Sequence, residues 1–120
     1  MKTKRKNNLK ELAVYQNKLA HFVHENALLK YMLSEIVDEN QEKNFLPLAE
    51  YFQNELLLKD EMLKSLSKQI NELKIDGVGH EEEIYEMKIQ NMQKEVLHFL
   101  NEYENFSRDF KSKVYKNKGS

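Results

Sequence analysis

The sequence predicts an all-α protein: a long antiparallel three-helix coiled-coil bundle, up-down-up, with dimerisation as one way of completing it. Three observations carry this. Apolar residues recur in three separate stretches with alternating steps of three and four, the heptad spacing of helices that pack along one seam. Residues of the Ala/Glu/Lys/Leu/Arg set make up 55 of 120, close to the roughly 50% share of long helices. Gly 3 and Pro 1 supply too little turn chemistry for a many-stranded sheet. The chain reads as a single helical domain over 1–120, with basic tails at both ends.

The first helix is expected near 8–39. Its seam is Leu12, Tyr15, Leu19, Phe22, Asn26, Leu29, Leu33 and Ile36. A polar stretch, 38–44, then interrupts the pattern. Asn44 suits an N-cap, because its side-chain oxygen can accept from the free N–H groups of the next turn. Pro47 falls in that first turn, where a missing N–H costs least. The second helix follows near 45–75, with Phe45, Ala49, Phe52, Leu56, Lys59, Leu63, Leu66, Ile70 and Leu73 along its seam. Asp76-Gly77-Val78-Gly79 breaks it, and Gly77 can close a helix in the left-handed conformation at little steric cost. The third helix is expected near 80–114. Glu81, Glu82 and Glu83 lie in its first turn, where negative charge meets the positive end of the dipole. Its seam is Tyr85, Ile89, Met92, Val96, Phe99, Tyr103, Phe106 and Phe110.

Short connections between helices of similar length favour antiparallel neighbours. The end charges agree. Up-down-up sets Lys2, Lys4, Arg5 and Lys6 beside Asp76, Glu81, Glu82, Glu83 and Glu86. It sets Glu35, Asp38, Glu39 and Glu42 beside Arg108, Lys111, Lys113 and Lys116. Exposed pairs are worth only ~0–1 kcal/mol each, so their value lies in register and in disfavouring a parallel arrangement.

Two seam positions are polar. Asn26 and Lys59 are candidate register-setting residues, since a polar seam side chain gives up stability and can fix alignment or oligomer state. For Lys59 the favoured reading is a side chain that snorkels to solvent. Ala13, Ala20, Ala27 and Ser34 recur every seven residues beside the first seam. Such small residues admit a close neighbour. The favoured neighbour is the protein's own third helix, and the competing one is a second chain. Tyr51, Leu57 and Leu58 lie off the second seam, and Val14 and Leu28 point outward on the first helix; if joined, such residues make a partner site. The residues expected to bind a protein partner are Ala13, Ala20, Ala27, Tyr51 and Leu58.

Several residues invite a chemical reading. Glu95 and His98 have the Glu-x-x-His spacing of di-metal bundle sites. One such motif is present where two are needed, and the register puts His98 away from the seam. Phe22-Val23-His24-Glu25 resembles the phosphoacceptor step of histidine kinase dimerisation helices, and an exposed His24 can accept a phosphoryl group. Asn26-Ala27-Leu28, however, stands where a basic residue and Thr-Pro-Leu normally follow. Ala20-His21 resembles a phosphotransfer domain but lacks the Lys-Gly that should come after. His21 and His24 are expected to be solvated. The aromatic run Tyr85, Phe99, Tyr103, Phe106 and Phe110 has the spacing of a packed seam rather than of a base-stacking surface. The basic ends are short and balanced by acidic blocks, with a net charge of −1, so nucleic-acid binding is not expected.

Cys 0 excludes a disulfide framework, a thiol nucleophile and Cys-ligated metal. No apolar run approaches the ~18 residues of a membrane span. The basic start is interrupted by Asn7, Asn8, Lys10 and Glu11 where a signal peptide needs its apolar core, so a cytoplasmic protein is expected.

His24-Glu25-Asn26, Leu29-Lys30, Leu33-Ser34-Glu35-Ile36, Lys43-Asn44-Phe45-Leu46, Ala49-Glu50 and Phe52-Gln53-Asn54 together resemble short uncharacterised helical proteins of Bacteroidetes bacteria. The similarity covers roughly residues 20–73. That group has no assigned activity, so the resemblance implies a bacterial cytosolic helical protein and transfers no catalytic residue. It draws attention to Glu25, Asn26, Phe52, Gln53 and Asn54. The functional expectation is a non-enzymatic helical interaction or scaffolding module, self-associating, with a protein partner and no cofactor. A phosphotransfer helix using His24, a nucleic-acid binder and a di-metal bundle are the alternatives.

Overall fold

The computed structural model describes residues 2–39, 45–76 and 82–115. They form three helices: α1 (Lys2–Glu39), α2 (Phe45–Asp76) and α3 (Glu82–Tyr115). Up-down-up packing gives a rod of 60 × 17 × 17 Å. The long dimension is that of α1 itself, since 38 residues at about 1.5 Å each span about 57 Å. Among the described residues, no helix is long and apolar enough to cross a membrane.

The seams form the core. Leu12, Tyr15, Leu19, Leu29, Leu33 and Ile36 of α1 are buried against Phe45, Ala49, Phe52, Leu56, Leu63, Leu66 and Ile70 of α2. Tyr85, Ile89, Met92, Val96, Phe99, Tyr103 and Phe110 complete it from α3, with Phe22, Leu73 and Phe106 half-buried at the edge. The aromatic run is therefore core. Phe52 meets Phe110 edge-on at 5.1 Å between ring centres, and Phe22 meets Tyr103 at 4.8 Å. Such offset contacts add about 0.5–1.5 kcal/mol to the burial itself. The backbones of α1 and α2 approach each other more closely than either approaches α3. Helix separation follows side-chain size at the contact, and the large rings belong mainly to α3.

α1 begins at Lys2 rather than near residue 8. Lys and Arg are good helix formers, although positive charge is unfavourable at a helix start. α3 buries two residues that the strict heptad passes over, Leu100 and Val114. A straight helix drifts by about 20° per heptad, so its buried stripe moves sideways towards the C-terminus. Pro47 lies in the first turn of α2, and Glu82 and Glu83 in the first turn of α3, as expected. The capping roles of Asn44 and Gly77, the placement of Glu81 and the C-terminal tail fall outside the described residues. So do the side chains of Lys2, Lys4, Arg5, Lys6 and Asp76. The end-charge expectation is corrected at one place: Lys111 pairs with Glu25 at 3.5 Å, not with the acidic group at the end of α1. Arg108 and Lys113 reach Asn105 and Asp109 within α3.

Candidate functional site: a buried polar layer and an open flank

Asn26 is 0% exposed, and its amide joins all three helices. Nδ2 donates to the Leu56 carbonyl at 2.9 Å and to Asp60 Oδ1 at 2.7 Å, both on α2. Oδ1 accepts from the Tyr103 hydroxyl of α3 at 3.0 Å. Asp60 uses its second oxygen to pair with Lys30 of α1. A buried amide left unpaired costs about 1–3 kcal/mol, whereas one with its partners is roughly neutral or better. The layer therefore tolerates one alignment. If α3 slipped by one heptad, Val96 or Phe110 would face Asn26 and neither could donate.

The charges of the layer sit at its rim. Asp60 and Lys30 are partly exposed, as are Glu25 and Lys111. Burial, then the nearby Glu25 carboxylate, push the Tyr103 hydroxyl well above the ordinary tyrosine range. It stays neutral and donating at physiological pH. Lys59, the other polar seam residue, is half-buried. Its ammonium lies 5.4 Å from the centre of the Phe106 ring, a cation–π contact at the core edge.

The alanine stripe lies elsewhere than expected. Ala20, Ala27 and Ser34 are exposed and Ala13 is half-buried, so the stripe does not pack on α3. Gln16 and Lys30, one turn after Ala13 and Ala27, reach α2: Gln16 donates to Asn71 at 2.6 Å and accepts from Lys74 at 2.8 Å. α3 reaches α1 from the opposite flank, through Phe22, Glu25 and Tyr103. The stripe thus borders the α1–α2 groove. Periodicity shows that residues share a face, but not which neighbour the face meets.

That groove holds a cavity of about 210 Å³ lined by Lys30, Leu33, Ser34, Val37, Ala49, Gln53, Leu56 and Leu57. Leu57 joins the alanine stripe there. Tyr51 and Leu58 do not. They share a seven-residue repeat with Ser65, which borders the α2–α3 groove beside His98 and Phe99. The five residues expected to bind a partner therefore divide between two flanks.

His21 and His24 are exposed on α1. His98 pairs with Glu102, four residues on, at 3.0 Å, and Glu95 is exposed. Among the described residues, no three His, Cys, Asp or Glu side chains gather where they could hold a metal ion. Compared with known proteins, the chain matches no family model, no curated protein and no solved structure.

Proposed function

We propose that the protein is a non-catalytic helical interaction module that associates with itself and presents the α1–α2 flank to its partner. The supporting observation is the make-up of the α1 side of that flank. In a chain with 32% charged residues, the α1 positions bordering the groove from Ala13 to Val37 are Ala13, Gln16, Ala20, Val23, Ala27, Lys30, Ser34 and Val37. Their one charge, Lys30, is paired with Asp60. Depletion of charge is the compositional mark of an interface core. The polar layer beneath supports the reading, because it holds α1 and α2 in the single alignment a fixed binding face needs. A cytoplasmic setting belongs to the same reading.

Light scattering on a sizing column, over a wide concentration range, tests the proposal. The expected mass is a multiple of 14.4 kDa for the native chain, falling towards the single-chain value in Ala27→Glu. Ala27 is exposed, so that change leaves the bundle folded, as circular dichroism would verify. A native mass fixed at 14.4 kDa at every concentration would end the self-association reading.

A further inference from the structure

The charges around the α1–α2 flank are sorted by height along the rod. On α1, the exposed Lys10 lies towards one end and the exposed Asp38 towards the other. On α2, the exposed Glu50 and Glu61 lie on one side of Met62, and Lys64, Lys68 and Lys74 on the other. The Gln16–Asn71 and Lys30–Asp60 contacts fix the relative height of the two helices. His24, midway between Lys10 and Asp38, then lies within about one turn, 5.4 Å, of Met62, midway between Glu50 and Lys74. Apart from the Lys30–Asp60 pair, the charges named on each helix are basic at one end of the rod and acidic at the other, with the change of sign between them. The flank has a basic end formed by Lys10, Lys68 and Lys74 and an acidic end formed by Asp38 and Glu50; between them Ala20, Val23, Ala27 and Leu57 are interrupted by the Lys30–Asp60 pair and by Glu61 and Lys64 beside the mid-level.

We propose that the occupant of this flank is a second copy of the chain turned end for end, about a two-fold axis that crosses the rod at the level of His24. This rests on the self-association reading and gives it a geometry. The two-fold brings Lys10 to the partner's Asp38 and Glu50 to the partner's Lys74, each twice. The other isologous arrangement has its axis along the rod and lays α1 on the partner's α2. It brings Lys10 to Lys68 and Lys74, and Asp38 to Glu50, so like charges meet at both ends and oppose it. The area is adequate. Ala13 to Val37 spans about 36 Å at 1.5 Å per residue. Two helix widths of about 10 Å each give about 700 Å² per copy. The total of about 1,400 Å² lies within the range of stable interfaces. The alanines allow α1 to approach its mate closely, and Leu57 lies beside the groove cavity.

Two charge-reversed chains test the geometry. One carries Asp38→Lys and Glu50→Lys, making both ends basic. The other carries Lys10→Glu and Lys74→Glu, making both ends acidic. All four positions are exposed, and circular dichroism would check that both chains fold. Sedimentation of each chain alone should give a single-chain mass at concentrations where the native protein is dimeric. An equal mixture of the two should restore the dimer, and salt should weaken the mixed species. If the native chain associates but both variants associate equally well, this geometry is wrong while the self-association reading stands. If the native chain is a monomer throughout, both fail.

Discussion

Asn26 is a costly residue to place at a heptad seam, and the structure shows what offsets the cost. Its donors are used by α2 and its acceptor by the Tyr103 hydroxyl of α3, so no polar atom of the contact is stranded. Tyr103→Phe removes the hydroxyl and leaves the Asn26 oxygen buried without that donor. It should lower stability at neutral pH by about 1–2 kcal/mol, read from urea unfolding. The difference should depend on pH. The Tyr103 hydroxyl is held above its ordinary value of 10.0 in the folded chain. Above that value the unfolded chain loses the proton first and binds fewer protons than the folded one. Stability therefore falls as pH rises. Tyr103→Phe removes this contribution, so the gap between the two proteins should narrow above pH 10. A gap unchanged from neutral to alkaline pH would show that Tyr103 is not buried against Asn26. The sequence marks Asn26 as a polar seam residue. It does not reveal Leu56, Asp60 and Tyr103 as partners, because the height of one helix against another depends on packing that no local pattern encodes.

At the level of the helices, the legible part was the buried stripe. Every apolar seam residue read from the heptads is buried or half-buried, because burying one face against two neighbours demands that spacing. Two features were not legible. Lys2, Lys4 and Arg5 stand at the positive end of α1, against the dipole rule, so nothing local announces the first turns as helix. Leu100 and Val114 enter the core because α3 drifts out of the strict repeat. The alanine stripe lies away from its expected neighbour for a related reason. α1 has two flanks, and the flank that meets α3 is decided by where the bulky rings of α3 seat. Core and surface should separate sharply on mutation. Phe52, 0% exposed against the rings of α3, should cost about 3–5 kcal/mol as Phe52→Ala. Met87→Ala, at a position 62% exposed, should change stability by less than about 0.5 kcal/mol. Thermal unfolding of the two variants distinguishes them, and similar losses would mean that α3 is rotated from the position described.

For the whole molecule, the bundle divides its polar chemistry between two tasks. The inner layer fixes how the three helices align. In the proposed pairing, the outer charges, sorted along the rod, set how a second rod lies on the first. That pairing has a second copy covering the α1–α2 flank end for end. The chain has Cys 0, so a single introduced cysteine carries a spin label without competition. Labels at His24→Cys and, separately, at Lys10→Cys give distances between mates by pulsed dipolar spectroscopy. Residue 24 lies at the two-fold, so its labels should be within about 20 Å, two helix widths. Residue 10 lies 14 positions away, so its labels should be about 42 Å apart at 1.5 Å per residue on each side. Short distances at both positions would mean the rods lie parallel, and no dipolar coupling at either would mean that the chain does not pair through this flank.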